Sequence, residues 1–203
     1  MTERVLADGL DLAAPLRDAV ERGAAFVPSA LDEGFRRRLQ AEIEDGSFEP
    51  APDEVGPVRQ ATEAFTIRHP TEGYPMSEAL GRAAMPAIRA QGEGIRGLAT
   101  YRPNEFTVQR YRPGPVGISP HLDGKRFRRL VAVFTTEGSA PFAICAERAG
   151  PAIAQWIAEP GSLVLLRAPG LAGRRDGRPF HTVGAPDEGM RYSVAFRMNA
   201  RSQ

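Results

Sequence analysis

Arg191-Tyr192-Ser193-Val194-Ala195-Phe196-Arg197-Met198 alternates without a break. Successive side chains of an extended chain point to opposite faces. Tyr192, Val194, Phe196 and Met198 therefore make one face, and Arg191, Ser193, Ala195 and Arg197 the other. The apolar face must be buried against another layer. The arginine face has two readings: a solvent face, or the lining of a small barrel. In the second case two guanidiniums point into a cavity, and buried unpaired cations are too costly to keep without anions. A small dicarboxylate held by bidentate arginine contacts meets that need.

Working outward, the segment 105–111 follows the same rule. Thr107, Gln109 and Tyr111 share one face, Phe106 and Val108 the other. An amide and a phenol side by side are good partners for carboxylate oxygens. The chain then turns at Pro113-Gly114-Pro115 and delivers Pro120-His121-Leu122-Asp123. His121 and Asp123 are two residues apart, so in an extended segment they converge on one point. A second histidine, His181, follows Arg178-Pro179-Phe180. Two histidines and one carboxylate on one face are the ligand set of non-haem Fe(II) oxygenases, with positions left open. Taken alone, the triplet is also what a surface histidine beside a turn aspartate would give.

The rest of the chain sets the frame. Its 203 residues suit a single domain, 1–203, able to bury a core without metal or disulfide staples. Gly 21 and Pro 18 favour a turn-rich β architecture over a helical bundle. A net charge of +1 gives no global basic field of the kind nucleic-acid binders carry. The one cysteine, Cys145, excludes an internal disulfide and a thiolate zinc site, and its apolar run reads as core. Neither a signal peptide nor a membrane span is expected, which makes a cytoplasmic protein the default.

The first hundred residues read as mostly helical support with a possible lid. Leu12, Leu16 and Val20 predict a helix over 12–24. Leu31, Phe35, Leu39 and Ile43 predict another over 30–44, with Ser29 as N-cap. Arg36, Arg37 and Arg38 read as its solvated face, balanced by nearby acids. Residues 47–75 are irregular, with a short strand at Phe65-Thr66-Ile67; Phe65 and Tyr74 belong to a lid or to core packing. His69 reads as a loop residue. A helix over 77–97 carries Met76, Leu80, Ala84 and Ile88 as its buried stripe, broken in two at Pro86. Beyond 105 come strands near 105–111, 130–136, 142–147, 152–158, 162–167, 181–184 and 191–198. Helices followed by a run of strands predict α+β with a sandwich or barrel.

Taken together, Gln109-Arg110-Tyr111-Arg112-Pro113-Gly114, His121-Leu122-Asp123, His181 and Arg191 with Arg197 resemble the AlkB-like branch of the Fe(II)/2-oxoglutarate dioxygenases. The resemblance covers roughly 100–199. It implies a double-stranded β-helix, or jelly roll, over 101–199, with the N-terminal helices packed on one sheet. It implies Fe(II) on His121, Asp123 and His181. It also implies 2-oxoglutarate on Arg191, helped by Tyr111, with Arg197 and Gln109 nearer the metal-chelating end and Ser193 among the co-substrate contacts. The family commonly has Asn at the positions of Gln109 and Ser193. Its nucleic-acid demethylases usually carry an acidic residue just after His-x-Asp, where this chain has Gly124 and Lys125, which weighs against base demethylation.

The resulting expectation is an enzyme that couples O2 and 2-oxoglutarate to hydroxylation of an anionic small molecule or amino-acid-like substrate. Lys125, followed by Arg126, Arg128 and Arg129, would bind that substrate; the other reading of this run is a solvated loop. The alternatives are an oxidative demethylase of alkylated nucleic acid, its basic run on phosphates, and a non-catalytic metal- or ligand-binding barrel.

Overall fold

The helices form where apolar residues recur at steps of three and four, and the strands where they alternate. The computed structural model describes residues 4–68 and 73–201; His69 lies outside them. The order is α1 (Ala13–Arg22), β1 (Ala24–Val27), α2 (Glu33–Ile43), β2 (Glu49–Pro50), β3 (Glu54–Val55), β4 (Val58–Arg59), β5 (Thr62–Arg68) and α3 (Pro75–Gln91). Then come β6 (Glu105–Tyr111), β7 (Ile118–His121), β8 (Phe127–Glu137), β9 (Ala140–Cys145), β10 (Ala152–Ala158), β11 (Leu163–Arg167), β12 (Phe180–Val183) and β13 (Arg191–Asn199).

Two antiparallel sheets face each other. The larger runs β1-β11-β8-β13-β6-β5-β2 and the smaller β10-β9-β12-β7. The three helices cover the outer face of the larger sheet. Leu16, Phe35, Leu39, Leu80 and Ile88 pack there against Phe106, Val108, Phe134, Val194 and Phe196. A second core, including Tyr111, Ile118, Phe142, Ile144, Val164 and Leu166, fills the space between the sheets. The central strands are thus buried on both faces. Strand β13 has β6 on one side and β8 on the other, with Arg191 opposite Tyr111 and Ser193 opposite both Gln109 and Thr135. This is the jelly roll expected, with helices on one sheet.

Several local expectations are corrected. Asp32, not Ser29, caps α2, its carboxylate accepting from the Phe35 amide at 3.0 Å. Arg36 is not solvated. It is buried, paired with Glu33 at 2.8 Å and Glu137 at 2.9 Å, and it also donates to the Thr136 carbonyl. Helix α3 runs unbroken through Pro86. The ring is exposed, so the carbonyl it cannot bond faces water, while Leu80, Ala84 and Ile88 hold the opposite side in the core. Strand β5 contains and extends the short strand expected at Phe65-Thr66-Ile67, whereas β1 and β2 come from segments not read as strands; Phe65 and Tyr74 pack with ring centroids 5.8 Å apart against the helix layer. No helix of the described residues is long and apolar enough to cross a membrane.

Candidate active site

Strands β7 and β12 lie side by side in the smaller sheet, with His121 and His181 directly opposite. Gly117 permits this approach: a Cβ there would sit 2.3 Å from the Val183 carbonyl oxygen. The two imidazole centroids are 4.2 Å apart, and Phe142 stacks under His181 at 5.6 Å. Each ring is oriented by its own strand. His121 Nδ1 is 3.0 Å from the Ser119 carbonyl and His181 Nδ1 3.2 Å from that of Pro179. A carbonyl only accepts, so Nδ1 carries the proton and Nε2 keeps its lone pair for a metal.

Asp123 stands just past the end of β7. One ligand atom from each of His121, Asp123 and His181 lies within 4.8 Å of the others. The Asp123 backbone carbonyl accepts a bond from Arg178, and its carboxylate is 3.9 Å from Arg197 Nη2. Burial pulls the Asp123 carboxyl up, but Arg197, His181, His121 and Arg178 together outweigh it and hold the group below its ordinary range. Burial, with His181 beside it, pushes His121 down to about 4. At neutral pH His121 is therefore neutral and Asp123 a carboxylate, the forms in which such groups ligate a metal.

The opposite wall is the larger sheet. Gln109, Tyr111, Arg191 and Arg197 line the same narrow cavity as the triad. Arg191 is 1% exposed. It donates from Nη2 to Thr135 Oγ1 at 3.0 Å and lies 5.1 Å from the centre of the Tyr111 ring. Among the described residues no carboxylate pairs with it. Burial drives its pKa down, partly offset by Tyr111, and burial drives the Tyr111 phenol up. Arg191 Nε, Ser193 Oγ and Arg197 Nε are all buried without a hydrogen-bond partner. Native interiors rarely leave such groups unsatisfied. Three on one face of one strand fit an anion with several acceptor oxygens, and the triad fits a divalent cation with open positions. The residues present thus suit both Fe(II) and 2-oxoglutarate.

The structure brings together His121, Asp123, His181, Gln109, Tyr111, Arg191 and Arg197, with Ser193 in the Arg191 row of β13. It does not bring Lys125 to them. The chain turns at Lys125 and Arg126, with the Phe127 amide bonded to the Gly124 carbonyl at 3.0 Å, and Lys125 lines a separate, open cavity. Three contributors were missed: Thr135, which anchors Arg191; Arg178, which holds the Asp123 backbone; and Phe142 beneath His181. The threonine pair Thr135-Thr136 that ends the apolar 130–134 run was the available signal for the first.

No family model and no curated protein matches the chain. Solved structures do. A prolyl-4-hydroxylase from Pseudomonas putida has a TM-score of 0.64 at 20% identity, covering 93% of this chain and 98% of that one. The viral collagen prolyl hydroxylase of Paramecium Bursaria Chlorella virus-1, in complex with 2-oxoglutarate, has a TM-score of 0.63 at 13% identity, covering 88% and 97%. OsALKBH1, an AlkB homologue, has a TM-score of 0.58 at 17% identity, covering 87% and 98%. The likeness is one of fold, and it extends over nearly the whole chain, helices as well as the jelly roll.

Proposed function

We propose that the protein is an Fe(II)- and 2-oxoglutarate-dependent dioxygenase that hydroxylates an anionic small molecule. The observation that carries this reading is the pairing of two incomplete sites across one cavity. A triad of His121, Asp123 and His181, its ligand atoms within 4.8 Å of one another, faces a buried Arg191 that no carboxylate pairs with among the described residues. His121, Asp123 and His181 would hold the iron. Arg191, with Tyr111 and Ser193, would take the distal carboxylate of 2-oxoglutarate, and Arg197 and Gln109 would lie toward the chelating end. Loaded this way, such a centre activates O2 and couples oxidative decarboxylation to succinate and CO2 with oxidation of a substrate C–H bond.

The chain's own contribution is orientation and exclusion of water. Ser119 and Pro179 fix the imidazoles through their carbonyls. Thr135 fixes the guanidinium, so the anion is met without reorganisation. Ile118, Val133, Leu166 and Val183 keep the cavity walls apolar. All of these residues lie in 101–199, while 1–100 supplies the outer helices and flanking strands, and we treat 1–203 as one domain. A cytoplasmic setting, where 2-oxoglutarate and reduced iron are present, suits this chemistry. Succinate release dependent on Fe(II), O2 and 2-oxoglutarate tests the reading. No succinate under any substrate mixture, with intact metal binding, would point to a binding barrel instead.

A further inference from the structure

A second cavity, about 930 Å³, opens beside the first. Two of its walls are the loop that carries Asp123 together with the start of β8, and the loop that leads from β11 to His181. The third is the segment around Arg96 and Thr100. It therefore lies at the metal end of the barrel. Six cations converge on it: Arg96, Lys125, Arg128, Arg129, Arg174 and Arg175. The one acid in its lining, Asp176, is committed elsewhere, bound by both oxygens to Arg178 at 2.9 Å. The whole chain carries 26 basic and 25 acidic residues, so this local excess does not follow from composition.

The walls are built to hold these charges in place. Arg129 adopts a left-handed backbone (φ 70), donates from Nη1 to the Gly170 carbonyl at 2.8 Å, and keeps a buried Nε without a partner. A Cβ on Gly170 would lie 2.4 Å from that same Nη1, so the loop accepts Arg129 only because it has glycine there. The amides of residues 170–174 are all bonded within the protein, to Arg174, Ala168, Arg96, Gly170 and Leu171 in turn. Recognition must therefore come from the side chains, on a loop that is already rigid.

We propose that this cavity binds a compact, phosphate-bearing small molecule. A phosphoryl group brings close to two negative charges and three acceptor oxygens, which guanidiniums meet in pairs. Among the described residues no aromatic side chain lines the cavity, so they offer no stacking platform of the kind by which proteins hold single-stranded nucleic acid. The cations surround a cup and do not form a stripe. Lys125 acts here, beside the reaction centre, and not on the metal. That the molecule held is also the molecule oxidised rests on the dioxygenase reading; that the cavity holds it does not.

Calorimetric titration of the full chain with inorganic pyrophosphate, without iron or 2-oxoglutarate, tests this. One pyrophosphate should bind per chain. Arg174→Glu/Arg175→Glu should weaken it by about tenfold or more, the scale of losing charged hydrogen bonds, and Arg128→Glu from another wall should weaken it as well. All three side chains are exposed, so the melting temperature and 2-oxoglutarate binding should stay as in the parent. Absent binding, or binding indifferent to both variants, would make the cavity a solvated rim and overturn the proposal. A deoxythymidine decamer that binds and is not displaced by pyrophosphate would overturn it in favour of a nucleic-acid strand. Because the titration needs no metal, it stands whether or not succinate is ever released.

Discussion

Arg36 and Arg191 are both buried guanidiniums, 8% and 1% exposed, in two regions of opposite design. Arg36 joins α2 to β8 and finds everything it needs in the protein: Glu33, Glu137 and the Thr136 carbonyl. Its hydrogen bond to Glu33 raises its pKa against the effect of burial. Arg191 meets a threonine hydroxyl and an aromatic face, and burial lowers its pKa. One closes a structural joint. The other leaves a positive charge where protein alone does not satisfy it, opposite three side chains placed so that they could hold a metal ion. The partners of a buried charge, more than its burial, separate the joint from the binding site.

The hardest test of that contrast removes the triad. His121→Ala, Asp123→Ala or His181→Ala should each drop succinate release below detection and strongly weaken Fe(II) binding, with the melting transition retained, because the two cores do not depend on a metal. Full turnover in any of the three would remove that residue from the ligand set. Next comes Arg191→Ala. It should cost about 2–5 kcal/mol in 2-oxoglutarate affinity, the scale for losing one partner of a buried charge pair. It should not cost stability, because the cation it deletes has no ionic partner in the protein. Unchanged 2-oxoglutarate affinity by titration would show that the arginine face of β13 does not carry the co-substrate.

Arg36 should show the reverse pattern. Arg36→Met breaks the α2 to β8 joint, yet Glu33 and Glu137 are 59% and 48% exposed and can return to water. The expected loss is therefore only ~1–2 kcal/mol of folding stability by denaturant titration, below the range for a fully buried pair. Co-substrate affinity should be untouched. A variant that kept its stability and lost 2-oxoglutarate would collapse the distinction between the two arginines.

The sequence made Arg191 legible and Arg36 not, for a physical reason. Strict alternation over eight residues fixes which side chains share a face, so the Arg191 row of β13 and its partner row on β6 followed from period; that the row faces inward rested on the cost of burying arginines without anions. Arg36 sits in a run of three arginines, where composition says solvent. Helical spacing would have placed it beside Phe35, Leu39, Gln40 and Ile43, the buried side of α2. Short elements were the other blind spot. Strand β1 is Ala-Ala-Phe-Val, and β7 holds Pro120 among four residues, so neither is long enough to show a readable alternation. Lys125 shows how far the two-residue rule reaches. It placed His121 and Asp123 together, but it requires an extended chain, and the chain turns immediately afterwards.

The smallest expected effect comes from a third kind of arginine site, at the sheet surface. Glu63 on β5 accepts from Arg110 Nε at 2.6 Å and Arg112 Nη2 at 2.7 Å, on the alternate face from Gln109 and Tyr111. Hydrogen bonds from Arg110 and then Arg112 hold its carboxyl below the ordinary 4.5, against slight desolvation. Here the charges are paired, as at Arg36, but near water. Glu63→Gln should therefore cost only ~0.5–1 kcal/mol at neutral pH, the usual worth of such a pair. The sign of its pH dependence is fixed. A carboxyl whose pKa is depressed in the folded state contributes stability above its unfolded pKa and loses it as pH falls through the folded value. The gap between parent and Glu63→Gln, measured by urea titration, should be full near neutrality, begin to narrow toward 4.5, and vanish well below it. High salt should shrink it too. A gap that persisted in acid would mean that the glutamine disturbs packing against β6, and that the surface pair contributes through shape and not charge.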